Sequence, residues 1–325
     1  MPCDFFAHAS ASADLPLAVG PAISATRGRE GEDVFIATLI AANRLSGGDI
    51  SAAEDALRGL SVEPMGRSWI EDDVACDLLF SAAPDPVRAA LEALGLEADV
   101  IVQGEAGRRK RLLVADMDST MITVECIDEL ADYAGLKAEV AEVTERAMRG
   151  ELQFEAALRA RVALLEGLDD GAIDRCREER VRLMPGAREL VRTMRREGAL
   201  TILVSGGFTR FADPVGAEIG FERVIANRLA VEGGKLSGRV EMPIVGAAAK
   251  RTALLDALAE RGIEAEQALA VGDGANDIPM IEAAGLGVAY HAKPAAAAAA
   301  DARIVHGDLT ALLYAQGYAR AEWAD

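Results

Sequence analysis

The chain carries two carboxylates, Asp116 and Asp118, directly after the apolar residues "LLVA". In an extended strand, side chains two residues apart point to the same side. We therefore expect both carboxylates to lie together where the strand ends. Like charges at that distance repel, and a bare buried carboxylate is costly. The pair is either part of an ordinary turn or part of a site that supplies a compensating positive charge.

Further groups of polar residues follow apolar segments or begin helices. They are Ser205-Gly206-Gly207 after "LTILV", Lys250 near the start of a predicted helix, and Asp273, Asn276 and Asp277 in "VGDGAND". Each has a simple structural interpretation: "SGG" as a turn, Lys250 as a solvated side chain, and "GDGAND" as a turn leading into a helix cap. In an open parallel sheet, however, ligands bind beyond the carboxyl ends of the strands. These groups are predicted to meet there.

Taken together, these residue types indicate phosphoryl transfer with a metal ion. Acids at adjacent strand ends require a divalent cation, and oxygen ligands suit Mg²⁺. A Gly-rich turn with a hydroxyl can cradle phosphate oxygens. The helix dipole disfavours a cation near a helix start, so the position of Lys250 is explained if it faces carboxylates and a phosphate. A metal, positioning groups and charge neutralisation are what phosphoryl transfer needs.

The elements that would position these residues are those of an α/β fold. Four apolar segments end in polar or Gly-rich turns and are predicted to be strands: "RLLVADMD", "LTILVSGG", "ALAVGDG" and "LGVAYHA". Helical stretches separate them, which is typical of a parallel sheet with helices on both faces. A helical insert at about residues 124–184 is expected to cap the strand ends. The segment "NRLAVEGGKLSGRVE" is predicted to form a hairpin.

Residues 33–103 are predicted to form a separate small α+β domain. The order is strand, helix, strand, strand, helix, strand, which is the ferredoxin-like arrangement. Residues 1–32 are mixed and unpatterned, and we interpret them as a flexible leader. The basic segment "GEAGRRKR" is predicted to be a linker, and residues 104–325 are assigned to the second domain.

The composition argues against several classes of partner. There are 34 Lys and Arg against 53 Asp and Glu, a formal net charge of −19. Nucleic acids and anionic membranes need a basic surface, so neither is expected as a partner. No segment approaches the ~20 apolar residues of a membrane span. The four cysteines are widely spaced, and the first residues do not resemble a signal peptide. We therefore expect a reducing, cytoplasmic location.

The ordered motifs "DMDST", "SGG", a lysine on a later helix and "GDGAND" resemble the haloacid dehalogenase superfamily of aspartate-nucleophile phosphatases. The segments "DMDSTMITVECIDELA", "FEAALRARVALL", "VSGGF", "ANRL" and "AVGDGANDIPMI" look like the members that hydrolyse O-phospho-L-serine. The resemblance covers about residues 110–315. It implies a Rossmann-like core with a parallel sheet and a helical cap insert. The N-terminal domain is similar only in general to the ACT-like extension of some bacterial members.

The resemblance also implies roles for individual residues. Asp116 would be the nucleophile that forms an aspartyl-phosphate, and Asp118 the general acid and base. Mg²⁺ would be held by Asp116, the backbone carbonyl of Asp118, and Asp273. The implied phosphate-binding and supporting residues are Ser205, Gly206, Lys250, Asn276 and Asp277.

The cap is expected to recognise the alcohol portion of the substrate. In "FEAALRARVALLEG", Arg161 falls on the apolar stripe of the predicted helix and Arg159 does not. An arginine on a buried face needs a partner, either a structural ion pair or a substrate carboxylate, which suits a guanidinium. Glu125 near a helix start could be ordinary helix electrostatics. By the resemblance, Arg161 would bind the substrate carboxylate and Glu125 its ammonium, while Phe154 and Met148 would form an apolar wall.

The expected activity is Mg²⁺-dependent hydrolysis of O-phospho-L-serine, the last step of serine biosynthesis. Another small phosphomonoester, or phosphoryl transfer to an acceptor such as homoserine, would use the same core. A regulatory protein of this fold and a receiver-type module are the non-catalytic alternatives. The intact Asp116/Asp118 pair argues against the first, and a receiver would not need Ser205-Gly206 or a large cap. The N-terminal domain could bind an amino acid or mediate a homodimer.

Overall fold

The computed structural model describes residues 33–148 and 151–324, without the side chain of Met148. The predicted leader, residues 1–32, lies outside the described residues. Among the helices within the described ranges, none combines the length and the apolar character that crossing a membrane requires.

A small antiparallel sheet with helices forms the N-terminal part of the described chain. Its elements are β1 (Phe35–Ala41), α1 (Gly47–Gly59), β2 (Gly66–Glu71), β3 (Ala75–Phe80), α2 (Pro84–Glu92) and β4 (Ala98–Gly104). The strands lie in the order β2-β3-β1-β4, and all described pairs are antiparallel. This is the ferredoxin-like arrangement, so the predicted fold of this region is confirmed.

The two faces of this sheet have different surroundings. Alternate residues of β1 and β3, such as Leu39 and Leu78, are buried in one cluster with apolar residues of α1 and α2. The opposite face carries Asp77, whose two carboxylate oxygens accept hydrogen bonds from Arg108 at 2.6 and 2.7 Å. The Nε of Arg108 also donates to the carbonyl of Ala315 at 2.8 Å. Arg108 thus joins the small sheet to the C-terminal segment.

The remaining elements alternate strands and helices. After β5 (Leu112–Ala115) come α3 (Cys126–Tyr133), α4 (Lys137–Met148), α5 (Phe154–Leu164) and α6 (Gly171–Arg180). The chain continues with α7 (Ala187–Arg196), β6 (Leu200–Phe208), α8 (Thr209–Ile219), β7 (Arg223–Asn227), β8 (Leu229–Glu232) and β9 (Lys235–Val240). It ends with α9 (Ala247–Arg261), β10 (Ala268–Gly272), α10 (Ile278–Ile281), β11 (Leu286–Tyr290), α11 (Pro294–Ala299), β12 (Ala302–Ile304) and α12 (Ala311–Ala315).

In the described residues, six of these strands form one parallel sheet in the order β12-β11-β10-β5-β6-β7. All four predicted strands belong to it, which confirms the α/β fold. The sequence did not predict its two edge strands, β7 and β12. Central β5 is buried on both faces: Leu112 and Val114 lie in one apolar cluster, and Leu113 and Ala115 in another. This explains its unbroken apolar sequence.

The helices α3 to α6 occupy the predicted insert, and the two ends of the insert run side by side where it leaves and re-enters the core. The ends of the insert meet there, because Ile122 and Leu183 form an isolated antiparallel bridge. The N–H of Met184 also donates to the carbonyl of Met121 at 2.9 Å. The predicted hairpin is confirmed: β8 and β9 pair across Gly233 and Gly234, both of which have positive φ. Glycine adopts that backbone conformation without steric cost.

Candidate active site

The carboxyl ends of the three central strands bring the predicted site residues together. In the sheet, β5 lies between β10 and β6. Asp116 follows the last residue of β5, and its N–H donates to the carbonyl of Val271 in β10 at 3.0 Å. Asp273 follows β10, and Ser205 lies in β6. All three side chains line the same cleft. Convergence of this kind follows from parallel strand pairing, which places the strand ends at one edge of the sheet.

Lys250 lies beneath this cleft and is completely buried. It is in the first turn of α9, and its Nζ is 2.5 Å from an oxygen of Asp116 and 2.6 Å from an oxygen of Asp277. Burial lowers the pKa of Lys250, but the two carboxylates outweigh burial and raise the pKa above its usual value. The two carboxylates thus favour the charged lysine, and its unfavourable position at a helix start is offset by two ion pairs.

Two ammonium groups face several carboxylates at this point: that of buried Lys250, and that of the more exposed Lys293, whose Nζ is 3.4 Å from Asp273. Asp116, Asp273 and Asp277 are all buried, and each can place an oxygen within 4.8 Å of the others. Burial raises the pKa of Asp116, and the ammonium of Lys250 opposes that shift. The Lys293 side chain is 64% exposed, so its charge is screened by solvent, and a further cation within the buried cluster would favour the ionised carboxylates. The hard oxygen donors suit a small divalent ion, so the residues present fit a divalent metal site.

Within this cluster, Asp277 has a different role from the other two acids. Its Oδ2 accepts hydrogen bonds from the N–H groups of Asp273 and Gly274 at 3.1 and 2.9 Å. Its Oδ1 accepts one from Lys250 at 2.6 Å. Both oxygens are thus occupied in holding the loop and the lysine. Asp116 and Asp273 remain as the side chains that can offer free oxygens to a cation, and Asn276 lines the same cleft.

Asp118 differs from Asp116 in its surroundings. It is half-buried, and its Oδ1 accepts the N–H of Cys126 at 3.4 Å. Burial and the nearby carboxylate of Glu125 raise the pKa of Asp118 to about 7. Such a group can give and take a proton near neutral pH. Its Oδ2 lies close to Gly207, where a Cβ would be only 3.2 Å from that oxygen. A side chain at Gly207 would crowd the acid.

Ser205 and Gly206, which were predicted to form a turn after the strand, lie at a bulge within β6 and present polar groups to the cleft. Ser205 is buried, and its Oγ accepts the N–H of Gly207 at 2.8 Å. That bond uses an oxygen lone pair, and the hydroxyl proton can still be donated to an anion. Because Ser205 and Gly206 lie beside Asp116 and above buried Lys250, the arrangement can bind the oxygens of a phosphoryl group.

The cap contributes one carboxylate, one guanidinium and one aromatic ring to the same cleft. Glu125 immediately precedes α3, and the hydroxyl of Ser119 donates to its Oε1 at 2.8 Å. Arg161 also lines the cleft, and in the described part of the chain its buried Nε has no hydrogen-bond partner. Burial lowers the pKa of Arg161, opposed by Asp128 and then by Glu125.

Phe154 closes the side of the cleft. Its ring lies against Gly206 and Gly246, where a Cβ would be 3.2 and 3.1 Å from ring carbons. The cleft measures about 90 Å³, far less than the ~300–1,000 Å³ of sites for drug-sized ligands. In this position the cap therefore admits only a small ligand. The predicted role of Met148 falls on a side chain outside the described residues.

The structure adds three residues to which the sequence analysis assigned no role. Lys293 lines the cleft with its Nζ 3.4 Å from Asp273. Ser119 holds Glu125 and has a positive φ of 54°, which is uncommon for a residue with a side chain. Asn227 hydrogen-bonds to Gly206 from the end of β7. For Ser119 and Asn227, the quoted motifs "DMDST" and "ANRL" were the only signal. Lys293 had none, because a lysine before a proline has no pattern of its own.

Comparison with known proteins identifies the class. The sequence profile of the haloacid dehalogenase-like hydrolases matches residues 113–282, which is more than half of the chain. The chain belongs to this family.

Individual relatives have narrower descriptions. A phosphoserine phosphatase of Streptomyces coelicolor is 42% identical over 279 residues, covering 86% of this chain and 63% of that protein. A phosphoserine phosphatase of Albidiferax ferrireducens is 46% identical over 223 residues, covering 66% of this chain and 94% of the relative. The crystal structure of a probable phosphoserine phosphatase from Vibrio cholerae, unliganded, aligns with a TM-score of 0.71 at 33% identity, covering 89% of this chain and 88% of that one. The chain thus spans less than two thirds of the Streptomyces relative's length.

Proposed function

We propose that this protein hydrolyses O-phospho-L-serine to L-serine and phosphate. The observation that carries the proposal is the pairing of two opposite charges on the cap, Arg161 and Glu125, above a phosphoryl-binding set of Asp116, Ser205 and Lys250. A small substrate with a phosphate at one end and a zwitterion at the other complements both halves. The phosphoserine phosphatases among the relatives support the same substrate.

In the proposed mechanism, Asp116 acts first. A carboxylate oxygen of Asp116 forms a bond to phosphorus while the bond from phosphorus to the serine oxygen breaks. Asp118 gives its proton to the departing serine oxygen, so that L-serine leaves as the neutral alcohol. The product on the enzyme is an aspartyl-phosphate. A pKa of about 7 for Asp118 suits this donor role, because a large fraction of the group is protonated near neutral pH.

The second half of the reaction reverses the role of Asp118. Its carboxylate accepts a proton from water as the water oxygen attacks phosphorus, and the bond to Asp116 breaks. Ser205 and Lys250 neutralise charge on the phosphoryl oxygens in both steps. Asp116, Asp273 and the backbone carbonyl of Asp118 would hold Mg²⁺, which supplies charge neutralisation when bound. Asn276 and Asp277 would support this arrangement.

The cap would select the alcohol. The guanidinium of Arg161 is proposed to bind the substrate carboxylate, and Glu125 its ammonium. Phe154, together with Met148, would exclude water from the reacting phosphorus. In the described residues, Cys76, Cys126 and Cys176 are buried free thiols, which suits a reducing cytoplasm. There the reaction would complete serine biosynthesis.

The test is release of inorganic phosphate from L-phosphoserine, with Mg²⁺ and with EDTA, by the wild type and by Asp116→Asn. We expect metal-dependent release by the wild type alone, because uncatalysed hydrolysis of phosphate monoesters is slower by up to ~10²¹-fold. Release from an aryl phosphate but not from phosphoserine would refute the substrate. Phosphohomoserine formed when homoserine is added would indicate phosphoryl transfer instead. No release from any phosphomonoester would refute the proposed activity.

A further inference from the structure

The phosphate-binding turn is a bulge in the central sheet. In the pairing of β6 with β7, Ser205 lies opposite Ala226 and Phe208 lies opposite Asn227. Gly206 and Gly207 are therefore additional residues on β6 with no counterpart on β7. A bulge leaves such residues outside the regular ladder and redirects the chain. Without other bonds, the position of this turn would be poorly determined.

The side chain of Asn227 supplies bonds that the ladder does not. Its Nδ2 donates to the carbonyl of Gly206 at 2.8 Å. The same nitrogen donates to the carbonyl of Val245 at 3.1 Å, and its Oδ1 accepts the N–H of Val245 at 2.7 Å. Asn227 is only 1% exposed. All of the hydrogen-bonding groups of the amide except one lone pair are used between these two backbone segments.

The second segment leads directly to the buried lysine. Val245 precedes Gly246, the residue before α9, and the N–H of Lys250 donates to the carbonyl of Gly246 at 3.0 Å. One amide therefore connects the turn at Gly206 with the start of the helix that carries Lys250. The segments at Gly206 and Val245 are not neighbours in the sequence.

We propose that Asn227 is a positioning residue for phosphoryl binding, holding the Ser205–Gly206 turn at a fixed separation from the helix of Lys250. This rests on the proposed function, in which those two groups bind the phosphoryl oxygens. Asn227 itself does not line the cleft. Its effect is on the alignment of the donors, which must match the phosphoryl group to within a fraction of an ångström.

The contact with the cap depends on the same alignment. The two segments joined by Asn227 end in Gly206 and Gly246, and the Phe154 ring lies against both. A shift of one segment relative to the other would change the surface on which the cap rests. Asn227 thus affects three positions together: that of Ser205–Gly206, that of α9 with Lys250, and that of the surface against which the Phe154 ring lies.

Two variants separate positioning from general stability. Asn227→Asp keeps the shape of the side chain and the oxygen that accepts the N–H of Val245. It replaces the amide nitrogen that donates to the carbonyls of Gly206 and Val245. Asn227→Ser is too short to span both segments. Gln316→Leu is the matched control, because Gln316 is a fully buried amide that accepts the N–H of Lys110 and donates to Leu312 away from the cleft. Binding of inorganic phosphate with Mg²⁺ is measured by isothermal titration calorimetry, with melting temperatures measured in parallel.

We expect both Asn227 variants to fold and to bind phosphate at least about tenfold more weakly, since losing the alignment of a hydrogen bond to a charged group costs about tenfold or more in affinity. The Gln316 variant should lose melting temperature but bind phosphate as the wild type does. Asn227 variants that lose only melting temperature, with phosphate affinity within twofold, would overturn the proposal, as would failure of both to fold. A wild type that binds phosphate but does not hydrolyse phosphoserine would refute the proposed function alone.

Discussion

Arg161→Met is expected to make the protein more stable and less active. Methionine keeps much of the length and all of the apolar character of the stem, and removes the guanidinium. In the structure the buried Nε of Arg161 has no hydrogen-bond partner among the described residues. Burial lowers the pKa of this guanidinium despite the nearby Asp128 and Glu125. The folded state therefore disfavours the charge that the proposed reaction needs.

The two effects can be assigned magnitudes. A buried donor without a partner costs about 1–3 kcal/mol, so the free energy of unfolding should rise by up to that amount. A hydrogen bond to a charged group contributes about 1.5–3 kcal/mol. At 1.36 kcal/mol for each tenfold change, losing such a bond to the substrate lowers kcat/KM for L-phosphoserine by about 10- to 150-fold. A rise in the free energy of unfolding together with a fall in kcat/KM is the characteristic result.

The assay compares two substrates and two variants. O-phosphoethanolamine lacks the carboxylate, so its kcat/KM should be almost unchanged in Arg161→Met. Arg159→Met is the control: it lies on the same helix, and its side chain is 49% exposed and 4.0 Å from Glu155. That variant should change neither the rates nor the urea-unfolding midpoint appreciably, because exposed ion pairs contribute little.

Two results would refute this reasoning. If Arg161→Met lowered the free energy of unfolding, the guanidinium would be a structural group with partners in the folded protein. If both substrates lost the same factor in kcat/KM, the guanidinium would not be acting on the substrate carboxylate. A stable variant with rates equal to the wild type would reject the assignment of Arg161 to the site.

Two further predictions concern packing at the cap and at the linker. Gly246→Ala would place a Cβ 3.1 Å from the Phe154 ring, and overpacking of about 1–3 kcal/mol should lower kcat/KM several-fold and also lower the urea-unfolding midpoint. Adding Phe154→Leu should restore part of kcat/KM. If the double variant is no faster than Gly246→Ala, crowding against the Phe154 ring is not the cause. Arg108→Met should lower the free energy of unfolding by about 3–5 kcal/mol because it leaves the carboxylate of Asp77 buried without its cation, with kcat unchanged. A urea-unfolding loss under about 1 kcal/mol, as for an exposed pair, would contradict this.

Local patterns in the sequence were sufficient for most of the fold. The continuous apolar strands, each ending in a polar turn, predicted the parallel sheet, and its α/β architecture is confirmed. The order of strands and helices predicted the ferredoxin-like region, which is also confirmed. The edge strands β7 and β12 were missed. β12 has only three residues, too few to show a period, and edge strands need not be continuously apolar.

Several site residues were visible in the sequence because they follow an apolar strand or lie near the start of a helix, as Asp116, Asp273 and Lys250 do. Asp116 and Asp118 were expected to lie together because alternate residues of a strand share a side. Both do line the cleft, but β5 ends at Ala115 and Asp118 lies in the turn that follows, so strand alternation is not the reason. Topology then required Ser205 and Asp273 to reach the same edge, since parallel strands end together. These placements depend on short spacings in the sequence and on the order of strands and helices, and both can be read from the sequence.

The detailed arrangement of the site was decided by tertiary contacts. Three features of the site depend on residues far apart in the chain. Lys250 pairs with both Asp116 and Asp277, both oxygens of Asp277 are occupied, and Asn227 joins the segments at Gly206 and Val245. Side-chain hydrogen bonds across such separations leave no periodic signal. Burial, which sets the pKa of Asp118 and leaves the Nε of Arg161 without a partner, likewise exists only after the cap and core have come together.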